Sequence, residues 1–223
     1  MKSTISTRFR ELPWRVTAGF TRRSRQRRFE MFMELMRPDR EESVLDVGVI
    51  DTNWRSSNPL ESRYPWPAQI TAVALDDVPV FRETYPEVTV VVADGRALPF
   101  PDDAFDIGFS NAVIEHVGSR EQQRRFVGEM VRTCKRAWIA TPNAAFPVDP
   151  HTLLPFVHWL PRPTRERVLR WLGSAGWASE EMLNPLTAGQ LAALFPPGAD
   201  VRIVRQRTLG LATVLIAVVD RRP

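Results

Sequence analysis

Residues 44–54 read VLDVGVIDTNW. Val44, Leu45 and Val47 surround Asp46 and lead into Gly48, the pattern of a buried parallel strand that runs into a tight turn. A dinucleotide fold would continue with G-x-G-x-x-G, so that bare backbone at a helix N-terminus meets a pyrophosphate. Here Val49, Ile50, Asp51, Thr52 and Asn53 follow, and the next glycine is Gly95. The strand points to a ligand-binding sheet, while its loop argues against a phosphate cradle.

Outward from this strand, short runs of branched residues alternate with helical or loop segments. Strands are expected at 44–47, 70–75, 88–92, 105–110, 137–140, 201–205 and 213–219. Helices are expected at about 21–37 (closed by Pro38), 58–64, 78–84, 119–133, 164–172 and 187–194. The first five strands read as βαβ units, which build a parallel sheet covered on both faces. The last two are joined by a few residues around Gly210, too few for a parallel crossover, so they form a hairpin. The fold class is therefore α/β: a doubly wound, mostly parallel seven-stranded sheet with one antiparallel strand. Residues 1–40 form a basic helical arm and 41–223 the main domain. A segment rich in proline, tryptophan and histidine, at about 141–186, leaves the fifth strand at its carboxyl end, where it can roof a pocket.

Composition narrows the classes. The single cysteine, Cys134, excludes an internal disulfide framework. No apolar run approaches the ~18 residues of a membrane span, and the N-terminus lacks a signal-peptide core, which predicts a cytoplasmic protein. The net charge of +4 is uneven: residues 1–40 hold Lys2 and ten arginines against four acids. Such an arm could bind nucleic acid or an anionic surface. Alternatively it is a solvated helix face, because Phe29, Phe32, Met33 and Met36 recur at helical spacing.

Three acids stand in or just beyond strands: Asp46 in the first, Asp76 after ITAVAL and Asp94 after VTVVVA. A carboxylate ending the second strand is the usual acceptor for ribose hydroxyls. Asp94 could accept from an adenine amine, with Gly95 keeping the turn open. Each Asp could instead be a cap or turn residue, but three at successive strand ends favour an adenosine site. A sulfonium cofactor, which carries no phosphate, fits a loop with one glycine better than a dinucleotide does.

LDVG, then ALDD, then ADGRALPFPDDAFDIGFSNAVIEHV (residues 93–117) resemble the class I S-adenosylmethionine-dependent methyltransferases, in particular their broad small-molecule branch. The resemblance covers about residues 42–143 and implies a Rossmann-like fold with S-adenosylmethionine as cofactor. It also implies that Asp46 and Gly48 shape the methionine end, Asp76 holds the ribose, Asp94 and Gly95 flank the adenine, and Asn111 lines the site near the sulfonium. TPNAAFPVDPHTLLPFVHWLP resembles a segment of some bacterial members. The glycine-poor first loop departs from the family pattern.

Methyl transfer needs positioning more than acid–base help, but a hydroxyl acceptor benefits from a base, and histidine suits neutral pH. His116 and His151 are the catalytic candidates, and His158 reads as a packing residue. Their spacing lacks a tight two-His ligand signature, so no metal site is expected. Trp159, Trp171 and Trp177, with Phe156 and Leu160, suggest an apolar lid. The expected function is methyl transfer to a small molecule, on oxygen, with the resemblance suggesting a natural-product or glycan pathway. The alternatives are a non-catalytic binding protein of the same fold and a nucleic-acid methyltransferase that uses the basic arm.

Overall fold

The computed structural model describes residues 22–173, 177, 179 and 182–222. The first half of the basic arm therefore lies outside the described residues. Seven strands form one sheet: β1 (Val44–Val47), β2 (Ile70–Ala74), β3 (Thr89–Val92), β4 (Phe105–Asn111), β5 (Cys134–Pro142), β6 (Val201–Thr208) and β7 (Leu211–Asp220). Their order is β3-β2-β1-β4-β5-β7-β6. β1 to β5 pair in parallel, and β7 runs antiparallel to both β5 and β6. The hairpin turns at Leu209 and Gly210, both at positive φ, the backbone of a two-residue turn matched to strand twist.

The sheet buries both faces. In β7, Val214, Ile216 and Val218 enter one core, while Leu215, Ala217 and Val219 enter the other. The first core is covered by a helix over residues 22–36 (α1), by the loop after β1 and by α2 (Pro79–Thr84). The second is covered by α3 (Arg120–Thr133) and α5 (Ala188–Ala192). This two-period alternation with apolar residues on both sides is why the strands read as continuous branched runs. Both helices of the second layer start at capping boxes, Ser119 with Gln122 and Thr187 with Gln190.

Helix α1 packs as an integral part of the sheet's cover. Phe32 and Met36 are fully buried, and Phe29 and Met33 pack at the edge of the same core. Phe32 meets Phe109 and Trp138 edge-on at centroid distances of 5.0 and 5.9 Å. The apolar spacing thus decides for a packed helix over residues 22–36.

The helix expected at 58–64 does not form. Tyr64 N–H donates to Leu60 O and Ser62 N–H to Asn58 O, isolated helical turns only. Pro59, Pro65 and Pro67 bracket the segment, denying it amide donors and the room to propagate. Leu60 and Tyr64 still point into the core, which accounts for the apolar spacing that suggested a helix. β5 is longer than expected because it pairs with β4 and β7 along its whole length. The helix of the proline-rich segment, α4, spans Arg162–Trp171.

Candidate active site

A cleft of about 390 Å³ opens at the carboxyl ends of β1, β2, β3 and β4, within the size range of small-ligand sites. Open parallel sheets bind ligands at this edge, where the strand order reverses on either side of β1. A second hollow of about 480 Å³ lies at the opposite edge, beside Arg136 and Asp220, away from the strand ends that carry the acids. The walls of the first cleft are mostly apolar (Val47, Val73, Leu75, Val113, Val117, Phe126), with Asp94, Arg96, His116 and Gln122 as polar groups.

Asp46, on β1, points away from this wall into the loop after β1, where it meets Glu61. Both carboxyls are buried. Burial, then the neighbouring acid, pushes Asp46 well above the usual carboxylate range, and burial raises Glu61 as well. Burial and the nearby like charge both favour the neutral form of these carboxyls. Sequence reasoning missed Glu61, because no local pattern links it to β1.

Gly48 is at φ +106, and a Cβ there would lie 2.3 Å from a methyl of Val113. Only glycine supports this turn. Gly95 is as tightly packed, its missing Cβ opposing Phe126 and Val47. Asp94 lines the cleft but already receives Arg96, whose Nη2 lies 2.6 Å away. Asp76 is exposed just beyond Leu75, which lines the cleft; Asp76 itself is not in the wall. Asn111, at the end of β4, accepts from Arg28 Nη1 at 2.8 Å. Arg28, reaching over from α1, is itself buried, and burial followed by the nearby Arg25 brings its pKa down to about 10. Among the described residues no carboxylate pairs with it.

The two catalytic candidates come together. His116 Nε2 and His151 Nε2 are 3.1 Å apart, although 35 positions separate them in the chain. The expectation of no metal site rested on spacing along the chain, which does not measure a contact made across elements. His116 Nδ1 lies 2.6 Å from Met182 O. His151 Nδ1 faces Asp149 Oδ2 at 3.6 Å. Asp149 Oδ1 accepts from the amides of His151 and Thr152 and from the Thr152 hydroxyl, a turn that aims the His151 ring. Burial opposes ionisation of Asp149, but His151 and these amides outweigh it and hold the carboxyl below its usual range. Glu115, completely buried, accepts from Thr141 at 2.9 Å through one oxygen. Its other oxygen has no hydrogen-bond donor. Trp177 lies against both rings, 5.1 Å from His151 and 6.0 Å from His116.

The lid is only partly what the aromatic content suggested. Trp177 meets the histidines, but Trp159, Trp171 and Phe156 are exposed and do not line the cleft. Trp159 and His158 both bond the carbonyl of Ala144, which fixes the proline-rich segment to the end of β5. His158 is thus structural, as its neighbours implied.

The conspicuous run LPFPDD (residues 98–103) is also structural. Arg132 of α3 donates to the carbonyls of Leu98 and Phe100 and to Asp102, while Glu129 accepts from Leu98 N. The run is a brace that holds the turn after β3 beside the cleft.

Residues 45–137 match the family model described as a methyltransferase domain. Ajmaline N-methyltransferase of Rauvolfia serpentina is 36% identical over 92 residues, 40% of this chain. The chain spans 28% of that relative's length. Among solved structures, a protein of Pyrococcus horikoshii OT3 superposes with a TM-score of 0.59 at 16% identity, covering 90% of this chain and 91% of the other. Geranyl diphosphate C-methyltransferase from Streptomyces coelicolor A3(2) gives 0.54 at 12% identity, over 86% and 78% of the two chains. The last two are likenesses of fold.

Proposed function

We propose that this chain, whose residues 45–137 match a methyltransferase-domain model, is a class I S-adenosylmethionine-dependent methyltransferase that transfers a methyl group to the oxygen of a small-molecule acceptor. S-adenosylmethionine, when bound, supplies a methyl carbon already activated by the positive sulfur. The cleft fits such a group: it is large enough and mostly apolar on its walls, with the Asp94–Arg96 pair and His116 as its polar edge.

The residues divide the work. Asp76 accepts the ribose hydroxyls at the mouth of β2, and Asp94 with Gly95 borders the adenine. Gly48 keeps the first turn clear, while Asp46 sets the loop behind the methionine end through Glu61. Arg28 and Asn111 form a polar pair suited to a carboxylate. The observation that carries the choice of oxygen is the His116–His151 contact at the cleft wall. A carbonyl at Met182 accepts from His116 Nδ1–H, which leaves His116 Nε2 with a lone pair. The proton that a hydroxyl acceptor loses passes to this pair and is shared across the 3.1 Å contact.

Calorimetric titration with S-adenosylhomocysteine, with NAD as control, tests the cofactor site. Micromolar binding of the first alone is expected, and Asp76→Ala should weaken it about tenfold or more, the loss of charge-assisted bonds to two hydroxyls. Normal binding by Asp76→Ala would refute the ribose assignment. Methyl incorporation into hydroxyl acceptors but not into amines, tested with radiolabelled cofactor, decides the acceptor atom.

A further inference from the structure

We propose that Glu115, His116 and His151 form a binding site for a divalent transition-metal ion of the zinc class. The three offer one ligand atom each, and these atoms lie within 4.8 Å of one another. Two nitrogens bound to a tetrahedral zinc at ~2.05 Å stand ~3.3 Å apart. The two imidazole nitrogens are already 3.1 Å apart, and the Glu115 oxygen Oε1 is 3.9 Å from His116 Nε2. Small side-chain adjustments bring all three into a coordination sphere.

The hydrogen bonding around the rings argues for a cation between them. Met182 O can only accept, so His116 carries its proton on Nδ1 and presents a bare lone pair at Nε2. Asp149 lies 3.6 Å from His151 Nδ1, beyond hydrogen-bond length, and its negative charge favours a proton on that nitrogen and a bare Nε2. Two lone pairs then confront each other at 3.1 Å, beside a buried carboxylate oxygen with no donor. A positive centre resolves all three conflicts at once. It is either a trapped proton or a metal ion, and the outer partners are those that metal-bound histidines have: a carboxylate and a backbone carbonyl on the far nitrogen. Neutral imidazoles with one carboxylate suit zinc and its neighbours rather than calcium or magnesium. Three protein ligands leave a fourth position open.

His116 belongs to the cleft wall, so an ion here borders the space assigned to the acceptor. That consequence rests on the proposed methyl-transfer reading; the metal site itself does not. With the ion bound, the metal rather than a free imidazole would lower the pKa of an acceptor hydroxyl. Because the ligands come from the end of β4 and from the proline-rich segment, the ion would also clamp that segment to the sheet.

Protein prepared without a polyhistidine tag and stripped with chelator is titrated with zinc chloride by calorimetry. The same sample is titrated with cobalt(II) and followed by visible absorption. One equivalent of zinc and the intense visible bands of four-coordinate cobalt are expected. His151→Ala and Glu115→Gln should each weaken binding at least tenfold, and Asp149→Asn about tenfold, as a change in an outer partner does. Binding of S-adenosylhomocysteine, measured on every sample, reports the fold and the cofactor cleft separately. Zinc binding without cofactor binding would sink the methyl-transfer reading and leave the metal site standing. The absence of stoichiometric zinc binding, or binding that survives His151→Ala, overturns the metal site and leaves a proton-sharing pair. If His151→Ala does not fold, the wild-type cobalt spectrum decides, since six-coordinate pale bands would mean adventitious surface binding.

Discussion

Gly48→Ala is the substitution that probes the first loop most directly. Two separate costs arise. The backbone at φ +106 is one that residues with a side chain rarely adopt, which costs about 1–3 kcal/mol. The new methyl would also lie 2.3 Å and 2.9 Å from the two methyls of Val113, and overpacking of this kind costs a further 1–3 kcal/mol or so. The sum is about 2–6 kcal/mol, a large share of a domain's stability of roughly 5–15 kcal/mol. Val113→Ala removes the overlap but not the backbone strain. In a double-mutant cycle measured by urea unfolding, Val113→Ala should therefore restore about 1–3 kcal/mol in the Gly48→Ala background, the coupling expected of contacting groups. Both residues line the cleft, so affinity for S-adenosylhomocysteine should fall in Gly48→Ala and recover in part in the double variant. A loss below about 1 kcal/mol, with no rescue by Val113→Ala, would show that the turn does not have this conformation.

Phe32→Ala, which empties the edge-on contact with Phe109 and Trp138, should cost about 3–5 kcal/mol in denaturant unfolding; a change under 1 kcal/mol would mean that α1 is not part of the core. The raised carboxyls of Asp46 and Glu61 set a sign. Their folded pKa values exceed the unfolded ones, so their contribution is complete below the ordinary carboxylate range. It is lost as pH rises through the folded values. Asp46→Asn should therefore flatten the decline of stability from about pH 4 upward relative to wild type, measured by thermal unfolding at matched ionic strength, and identical pH profiles would refute the raised carboxyl values. Arg28→Met should lower affinity for S-adenosylhomocysteine about tenfold or more while sparing adenosine, since only the former brings a carboxylate to the guanidinium; equal losses for both would place Arg28 outside the site.

The fold was legible in the sequence because its signals are local. Branched runs bounded by turns located all seven strands, and the short path around Gly210 required the antiparallel hairpin. The helix at 58–64 was misplaced because apolar spacing reports which side chains face inward, not whether the backbone between prolines can close its hydrogen bonds. Both ends of the motif at 93–117 line the cleft, yet its LPFPDD portion is tied down by Glu129 and Arg132 and works as a brace. A strand-end aspartate could be named from position alone. That Asp94 is held by Arg96 and that Asp46 shares its environment with Glu61 could not.

What the sequence determined by itself is the layered sheet and the edge at which the cleft opens, because periodicity and strand order follow from nearest neighbours along the chain. Only the tertiary structure decided the chemistry at that edge. His116 and His151 are far apart in sequence, and Glu115, completely buried, gives no local sign of a donor-free oxygen. Their meeting depends on where the proline-rich segment folds back over the end of β4, and that is set by long-range packing and by hydrogen bonds accepted by Asp149, Ala144 and Met182. Spacing along a chain measures distance only within one element; across elements the fold alone sets it.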